Sequence, residues 1–401
     1  MGRPDRDRPP RLGHQPRGRA PRWHDRSSRP RVSQPAAARR SSGWVVIREG
    51  QHQRWGGELR RRRIFERLAE LTGATIVQDG WYPVLLRRAV RGRLGRLPGP
   101  LLYRLPQRGP KPKFAASEKL RDRLLDAAIA VTDPTVVAVY DDPVAQAQAL
   151  GVAQDPGWIA ELAARQRRNI AAFRWLVAPT RSFAELAGLP LDRLIVGGNG
   201  TDTSRITVGP WPSRPAVGIV SGAAPGRGLE LLVDAVAAAR TEVPDLVLRM
   251  WLVSTSEASE AYLREFRARL AGRTWVEIET APYDRLGPLL ATASVLAIPH
   301  PPNEYMDVAL PVKLFDSLAA GRPLVVTPRT ETASIVQRLG VGAVAAGDRA
   351  EDLAAAIVGL LAGATRLEAL GARARAAAEH EFDWRIVGDR IASAVLDREG
   401  G

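Results

Sequence analysis

The strongest constraint on this chain is an exchange of short apolar runs with longer amphipathic runs, continuing from residue 44 almost to the C-terminal end. In the second half the apolar runs fall at Val217–Val220, Leu246–Leu252, Val276–Ile278, Val295–Ile298, Leu324–Thr327 and Gly342–Val344. Between them apolar residues recur at helical spacing, near Leu229–Ala239, Glu260–Leu270, Leu286–Ala293, Lys313–Ala319 and Ala333–Leu339. A strand followed by a helix cannot pair with the next strand through a tight hairpin. It pairs in parallel, with the helix as a right-handed crossover. Six strands with a helix in every gap predict a doubly wound α/β domain.

The first half repeats the pattern. Trp44–Ile47 reads as a buried strand. A helix over Glu58–Leu71 follows, with Ile64, Phe65, Leu68 and Leu71 on one face, and Thr75–Val77 is the next strand. Helices over Ser117–Ala130, Trp158–Phe173 and Ser182–Ala187 alternate with strands over Thr135–Val139, Trp175–Ala178 and Leu194–Val196. Trp211-Pro212-Ser213-Arg214-Pro215 is a natural linker. The expected organisation is a disordered Arg/Pro-rich tail over 1–42, an N-terminal Rossmann-like domain over 43–208 and a C-terminal one over 209–383. The last helix, 384–401, is expected to join the first domain.

Charge narrows the function classes. The chain carries a net +15, of which +9 sits in residues 1–42, where 12 arginines face three aspartates. Lysine occurs only at Lys111, Lys113, Lys119 and Lys313, so the basicity follows arginine usage rather than a designed nucleic-acid surface, and no specific nucleic acid is expected. The absence of cysteine removes disulfides, thiolate zinc sites and cysteine nucleophiles, and fits a reducing cytoplasm. No apolar run reaches the ~18 residues of a membrane span, and no secretory signal is readable. The basic amphipathic stretch over 81–105 is either a contact with anionic lipid at the inner face of the cell membrane or a surface helix and loop.

Two stretches carry chemistry. Gly222-Ala223-Ala224-Pro225-Gly226-Arg227-Gly228 follows a strand and precedes a helix. Small residues let backbone N–H groups approach a phosphate, the helix N-terminus adds partial positive charge, and Arg227 offers a bidentate cation. The alternative is a tight turn without a ligand. Pro311–Val326 places Lys313 and Asp316 three apart on one helix face, directed to the crevice at the carboxyl ends of the strands. There the cation suits phosphate and the carboxylate suits ribose hydroxyls; the alternative is a surface ion pair.

Pro311–Val326 resembles the donor-site signature of the retaining glycosyltransferases of family four, enzymes of the two-domain GT-B fold that use nucleotide-sugars. Val220–Leu231, Val177–Ser182, Leu194–Asp202 and Trp55-Gly56-Gly57-Glu58 agree with it. The resemblance implies two Rossmann-like domains facing across a cleft. It also implies a hexosyltransferase-like, nucleotide-sugar-dependent enzyme that needs no cofactor beyond its substrate. The nucleoside-diphosphate sugar would bind through Gly56, Gly57, Gly222, Arg227, Gly228 and Asp316, with Lys313 added on its own chemistry as a second phosphate contact, and the acceptor would be a polysaccharide, glycolipid or other glycan or lipid-linked hydroxyl. Retention of configuration follows from the resemblance alone.

The chain departs from the pattern at several points. Gly222 stands where relatives often have arginine, Asp316 where they have glutamate, and Val308 where a second acid is usual. No histidine ends the strand before Asp141-Asp142; these two aspartates either orient the acceptor hydroxyl, with Arg227 and Lys313 completing the catalytic set, or cap a helix. His300 and Glu304 are candidates for contact with the donor sugar, with Asp307 nearby. No metal-ligand spacing is present, and arginine and lysine would neutralise the leaving diphosphate. Two other readings stand beside the enzyme: a GT-B protein that binds glycan or nucleotide without catalysis, and a basic binder of membrane or nucleic acid.

Overall fold

The structure is a computed structural model. It describes residues 44–48, 56–78, 113–118, 120, 125–126, 128–129, 132–138, 143–151, 155–254, 256–280 and 285–400. The expected tail over 1–42, Trp55, the basic stretch over 81–105, and Asp141 and Asp142 lie outside the described residues.

The N-terminal sheet is parallel throughout. It contains β1 (Trp44–Arg48), β2 (Thr75–Gln78), β3 (Lys113–Ser117), β4 (Asp133–Ala138), β5 (Trp175–Ala178) and β6 (Leu194–Val196), in the spatial order β2-β1-β3-β4-β5-β6. Helix α1 (Gly56–Thr72) buries Ile64, Phe65 and Leu68 against β1, β3 and β4. Helices α2 (Pro143–Ala149), α3 (Pro156–Ala172) and α4 (Arg181–Leu186) follow. Strand β3 differs from the expectation, which began a helix at Ser117. Phe114, Ala115 and Ala116 are fully buried between β1 and β4. Alanine has little strand propensity of its own, but a central strand covered on both faces takes small residues.

The C-terminal sheet holds β7 (Ala216–Gly222), β8 (Val247–Val253), β9 (Val276–Glu279), β10 (Val295–Ile298), β11 (Leu324–Val326) and β12 (Gly342–Val344). All pairs are parallel, in the order β12-β11-β10-β7-β8-β9. The order reverses direction between β7 and β10, so the crevice at their carboxyl ends is the topological switch point where such sheets bind ligands. Helices α5 (Leu229–Ala239), α6 (Glu257–Arg269), α7 (Leu286–Leu290), α8 (Glu304–Val308), α9 (Val312–Ala319) and α10 (Thr330–Leu339) connect the strands. Helix α9 buries Leu314, Phe315 and Leu318 at 0% exposure; each such side chain contributes about 1.5–3 kcal/mol.

The chain crosses between the domains twice, at 197–215 and again near 382–384. These segments bond to each other: Thr201 N donates to Phe382 O and Trp384 N to Thr201 O, both at 2.9 Å. Helices α11 (Ala350–Leu361) and α12 (Ala364–Ala377) precede a π-helical turn at Ala378–Phe382. Helix α13 (Trp384–Gly400) then lies against the N-terminal sheet, burying Trp384, Val387, Ile391 and Val395 beside Val46, Phe65 and Val177. Near its end Glu399 accepts from Trp175 Nε1 at 2.6 Å and pairs with Lys113.

Helix α8, unread in the sequence, also joins the domains. Asn303 caps it, its side chain accepting from Tyr305 N at 2.9 Å. Tyr305 and Met306 enter the N-terminal core beside Phe183, whose ring meets that of Tyr305 edge-on at 6.4 Å, and Val308 packs on the same cluster. An acid at position 308 would face that apolar contact, which gives the valine its physical reason.

Candidate functional site

The site begins with the loop after β7. Gly222 is exposed, and among the described residues a Cβ there would meet only Val253 O at 4.0 Å. Gly228 has φ +70° and is the N-cap of α5; a Cβ there would fall 1.7 Å from Pro299 O, so only glycine lets the loop close against β10. Gly226 N donates to Leu150 O at 3.2 Å, which docks the loop on the end of α2 in the N-terminal domain. The loop is thus held from both domains, with the N-terminus of α5 behind it.

Four basic side chains converge there. Lys313, in the first turn of α9, donates to Ser221 Oγ at 3.3 Å. Burial, reinforced by the charge of Arg227, holds its amine well below the usual lysine range. The Nε of Arg227 is buried with no hydrogen-bond partner. His300 follows β10 with 1% exposure, and both of its ring nitrogens are buried without partners. Burial, then Lys313, Arg227 and Arg329, hold it well below the ordinary histidine range. Arg329, beyond β11, pairs with Asp307 at 2.9 Å and Asp348 at 2.5 Å. Among the described residues neither Arg227 nor Lys313 has a carboxylate partner.

Buried positive charge without a counter-ion is costly, and it is stable only where an anion completes it. An oxyanion here would accept charge-assisted hydrogen bonds worth about 1.5–3 kcal/mol each.

The surface ion pair that stood as the alternative for Lys313 and Asp316 does not form. Lys313 turns to Ser221, while Asp316 Oδ1 accepts from Thr201 Oγ1 at 2.8 Å at the domain junction. Asp316 is 3% exposed, and its side chain turns toward the crossing segment. Burial pushes its carboxyl up to about 7, with the Asp202 charge adding to the rise and the Thr201 bond opposing it. Gly56 and Gly57 form the first turn of α1. Arg60 in the next turn donates to Gly198 O at 3.0 Å. Glu304 is exposed on α8, and Asp307 is engaged by Arg329 rather than free. A helix begins at Pro143, directly after Asp142.

Arg329 and Ser221 were missed in the sequence. Ser221 lies at the carboxyl end of β7, beside the switch point, and Arg329 just past that of β11, the next strand beyond β10, a signal available only once strand order is known. Among the described residues no cluster of His, Asp or Glu could hold a metal ion.

Residues 214–363 match the family described as Glycosyl transferases group 1. The C-terminal domain belongs to the group 1 glycosyl transferases. Most of the chain shares the fold of solved proteins of this kind. HepE from Anabaena, solved with UDP and glucose, superposes with a TM-score of 0.62 at 15% identity, covering 88% of this chain and 99% of HepE. Sucrose-phosphate synthase from Thermosynechococcus elongatus gives 0.61 at 12% identity, covering 89% and 99%. A glycosyltransferase from Rickettsia africae gives 0.57 at 10% identity, covering 89% and 99%. No curated protein matches by sequence. This glycosyltransferase therefore has the GT-B fold expected from its motifs: two Rossmann-like domains, with the matched domain carrying the cationic crevice.

Proposed function

We propose that this glycosyltransferase moves a sugar from a nucleoside-diphosphate sugar to a hydroxyl of a polysaccharide, glycolipid or related acceptor, with retention and without a metal ion. One observation carries the reading. Arg227, Lys313 and the N-terminus of α5 meet at the switch point of the C-terminal sheet, and among the described residues no carboxylate neutralises Arg227 or Lys313. A diphosphate supplies the missing negative charge, and the same groups stabilise it as it leaves. That HepE holds UDP and glucose supports this choice of anion.

Docking of the glycine loop on α2 supports a donor diphosphate at the domain boundary, where closure would exclude water and align the acceptor hydroxyl with the anomeric carbon. Asp316 would take the ribose hydroxyls, exchanging its bond to Thr201 for them. Asp141 or Asp142 would orient the acceptor. Glu304 is suited to the far side of the donor, and His300 lies nearer the diphosphate, beside Lys313 and Arg227. Among the described residues no single helix is long and apolar enough to cross a membrane. We assign the enzyme to the cytoplasm, with the stretch over 81–105 touching the inner face of the membrane.

A calorimetric screen of UDP, GDP, ADP and TDP sugars tests the reading, followed by turnover with and without EDTA. Binding of one nucleotide class, and transfer or slow donor hydrolysis unaffected by the chelator, is expected. Binding without either reaction would favour a GT-B protein that holds its ligand without catalysis.

A further inference from the structure

His300 is the group in the crevice whose arrangement the donor site alone does not explain. Its backbone carbonyl accepts from Thr327 Oγ1 at 2.7 Å, which fixes the residue at the carboxyl end of β10. Its ring is almost completely buried, yet among the described residues neither nitrogen has a partner. The charged groups acting on it come from three segments. They are Arg227 in the loop after β7, Lys313 on α9 and Arg329 after β11. The carboxylates of Asp307 and Asp348 are engaged by Arg329. A buried imidazole among cations is neutral, because a further positive charge there is opposed by burial and by every charged neighbour. An incoming diphosphate reverses the sign of that field.

We propose that His300 is a proton-coupled ligand of the donor diphosphate: neutral in the empty site, it takes one proton from solvent as the diphosphate enters and hydrogen-bonds the phosphate oxygens. This rests on the donor reading above and deepens it. The proton returns to solvent when the nucleoside diphosphate departs, so no bond other than N–H is made or broken. Donor affinity is then linked to pH. It is greatest below the titration range of His300 in the empty site, and falls as pH rises from there to its titration range in the complex, by at most about tenfold per unit for one proton. A neutral residue of similar size removes the linkage while leaving Arg227 and Lys313 to hold the anion.

The test is titration calorimetry of the full-length protein with UDP and with inorganic pyrophosphate, in buffers of differing ionisation enthalpy near neutral pH. Wild type and His300→Asn are compared, so the ligand's own protonation cancels. The variant is expected to take up fewer protons per ligand and to show a flatter affinity–pH profile. In parallel, the ring resonances of the wild-type protein, which has five histidines, are followed by NMR. One buried histidine is expected to shift from its neutral to its protonated position on saturation with pyrophosphate, a readout independent of whether the variant folds. Equal proton uptake in both proteins, or no such resonance, overturns the role of His300 alone. Failure of pyrophosphate and of UDP, GDP, ADP and TDP to bind the wild type overturns the diphosphate site itself.

Discussion

The hydroxyl of Thr201 donates to Oδ1 of Asp316 at 2.8 Å, joining the segment that leaves the N-terminal domain to the helix that carries Lys313. Burial pushes the Asp316 carboxyl up to about 7. The folded value lies above the unfolded one, so between about pH 4 and 7 the folded chain binds more protons than the unfolded chain, and stability falls as pH rises through that window. Asp316→Asn removes the charge. The advantage of the variant over wild type should grow by on the order of 2–3 kcal/mol from pH 5 to pH 8, since about two units of the displacement, at about 1.4 kcal/mol each, titrate in that interval. Thermal unfolding at the two pH values checks this; parallel curves would refute it.

Lys313 has the opposite sign. Its amine is held down by burial and by Arg227, so the unfolded chain binds more protons and stability rises with pH toward the lysine range. Lys313→Met should raise ligand-free stability at neutral pH by about 1 kcal/mol. The same change, like Arg227→Ala, should weaken nucleoside-diphosphate binding by more than about tenfold, the loss of one charged contact. Calorimetric affinity and melting temperature, measured together, distinguish a functional cation from a structural one. Unchanged affinity in both variants would place the anion elsewhere.

A Cβ at Gly226 would lie 2.1 Å from Ala149 O and 2.7 Å from Leu150 Cα. Gly226→Ala should therefore separate the loop from α2 while the C-terminal sheet stays folded. Transfer efficiency, kcat/KM, is expected to drop by at least about tenfold, because misplacement of about 1 Å at the reacting centre suffices for a larger loss. Gly359, on α11, is the control. Nothing lies within 4 Å of its Cβ position, so Gly359→Ala should gain about 0.5–1 kcal/mol and leave activity intact.

Arg322 is fully buried. It donates to the carbonyls of Ala291 and Pro210 at 2.7 Å, Ala293 at 2.8 Å and Gly209 at 3.0 Å, and stacks on Trp211 at 4.3 Å. One guanidinium thus pins the linker to the sheet. Arg322→Leu orphans these carbonyls and should cost about 3–5 kcal/mol in urea unfolding. Arg322→Lys should not restore it, because an ammonium cannot span the fork of acceptors. A cost below about 1 kcal/mol for either variant would show that the linker holds without it.

The sequence alone determined the parallel α/β architecture, since strands separated by helices have no other way to pair, and the bounds of β5, β6, β10 and α5 were readable to the residue. It also marked Arg227 and Lys313, because a glycine loop before a helix and a lone lysine in an arginine-rich chain are local signals. Strand β3 and helix α8 were not legible. Phe114, Ala115 and Ala116 become a strand only between two neighbours, and Tyr305 and Met306 are helical core only against a domain more than a hundred residues away. Tertiary structure decided the partners of each charge: Lys313 with Ser221, Asp316 with Thr201, Asp307 with Arg329. Spacing along a helix fixes which residues share a face, but burial and the other chain segments at that face decide which bond is made.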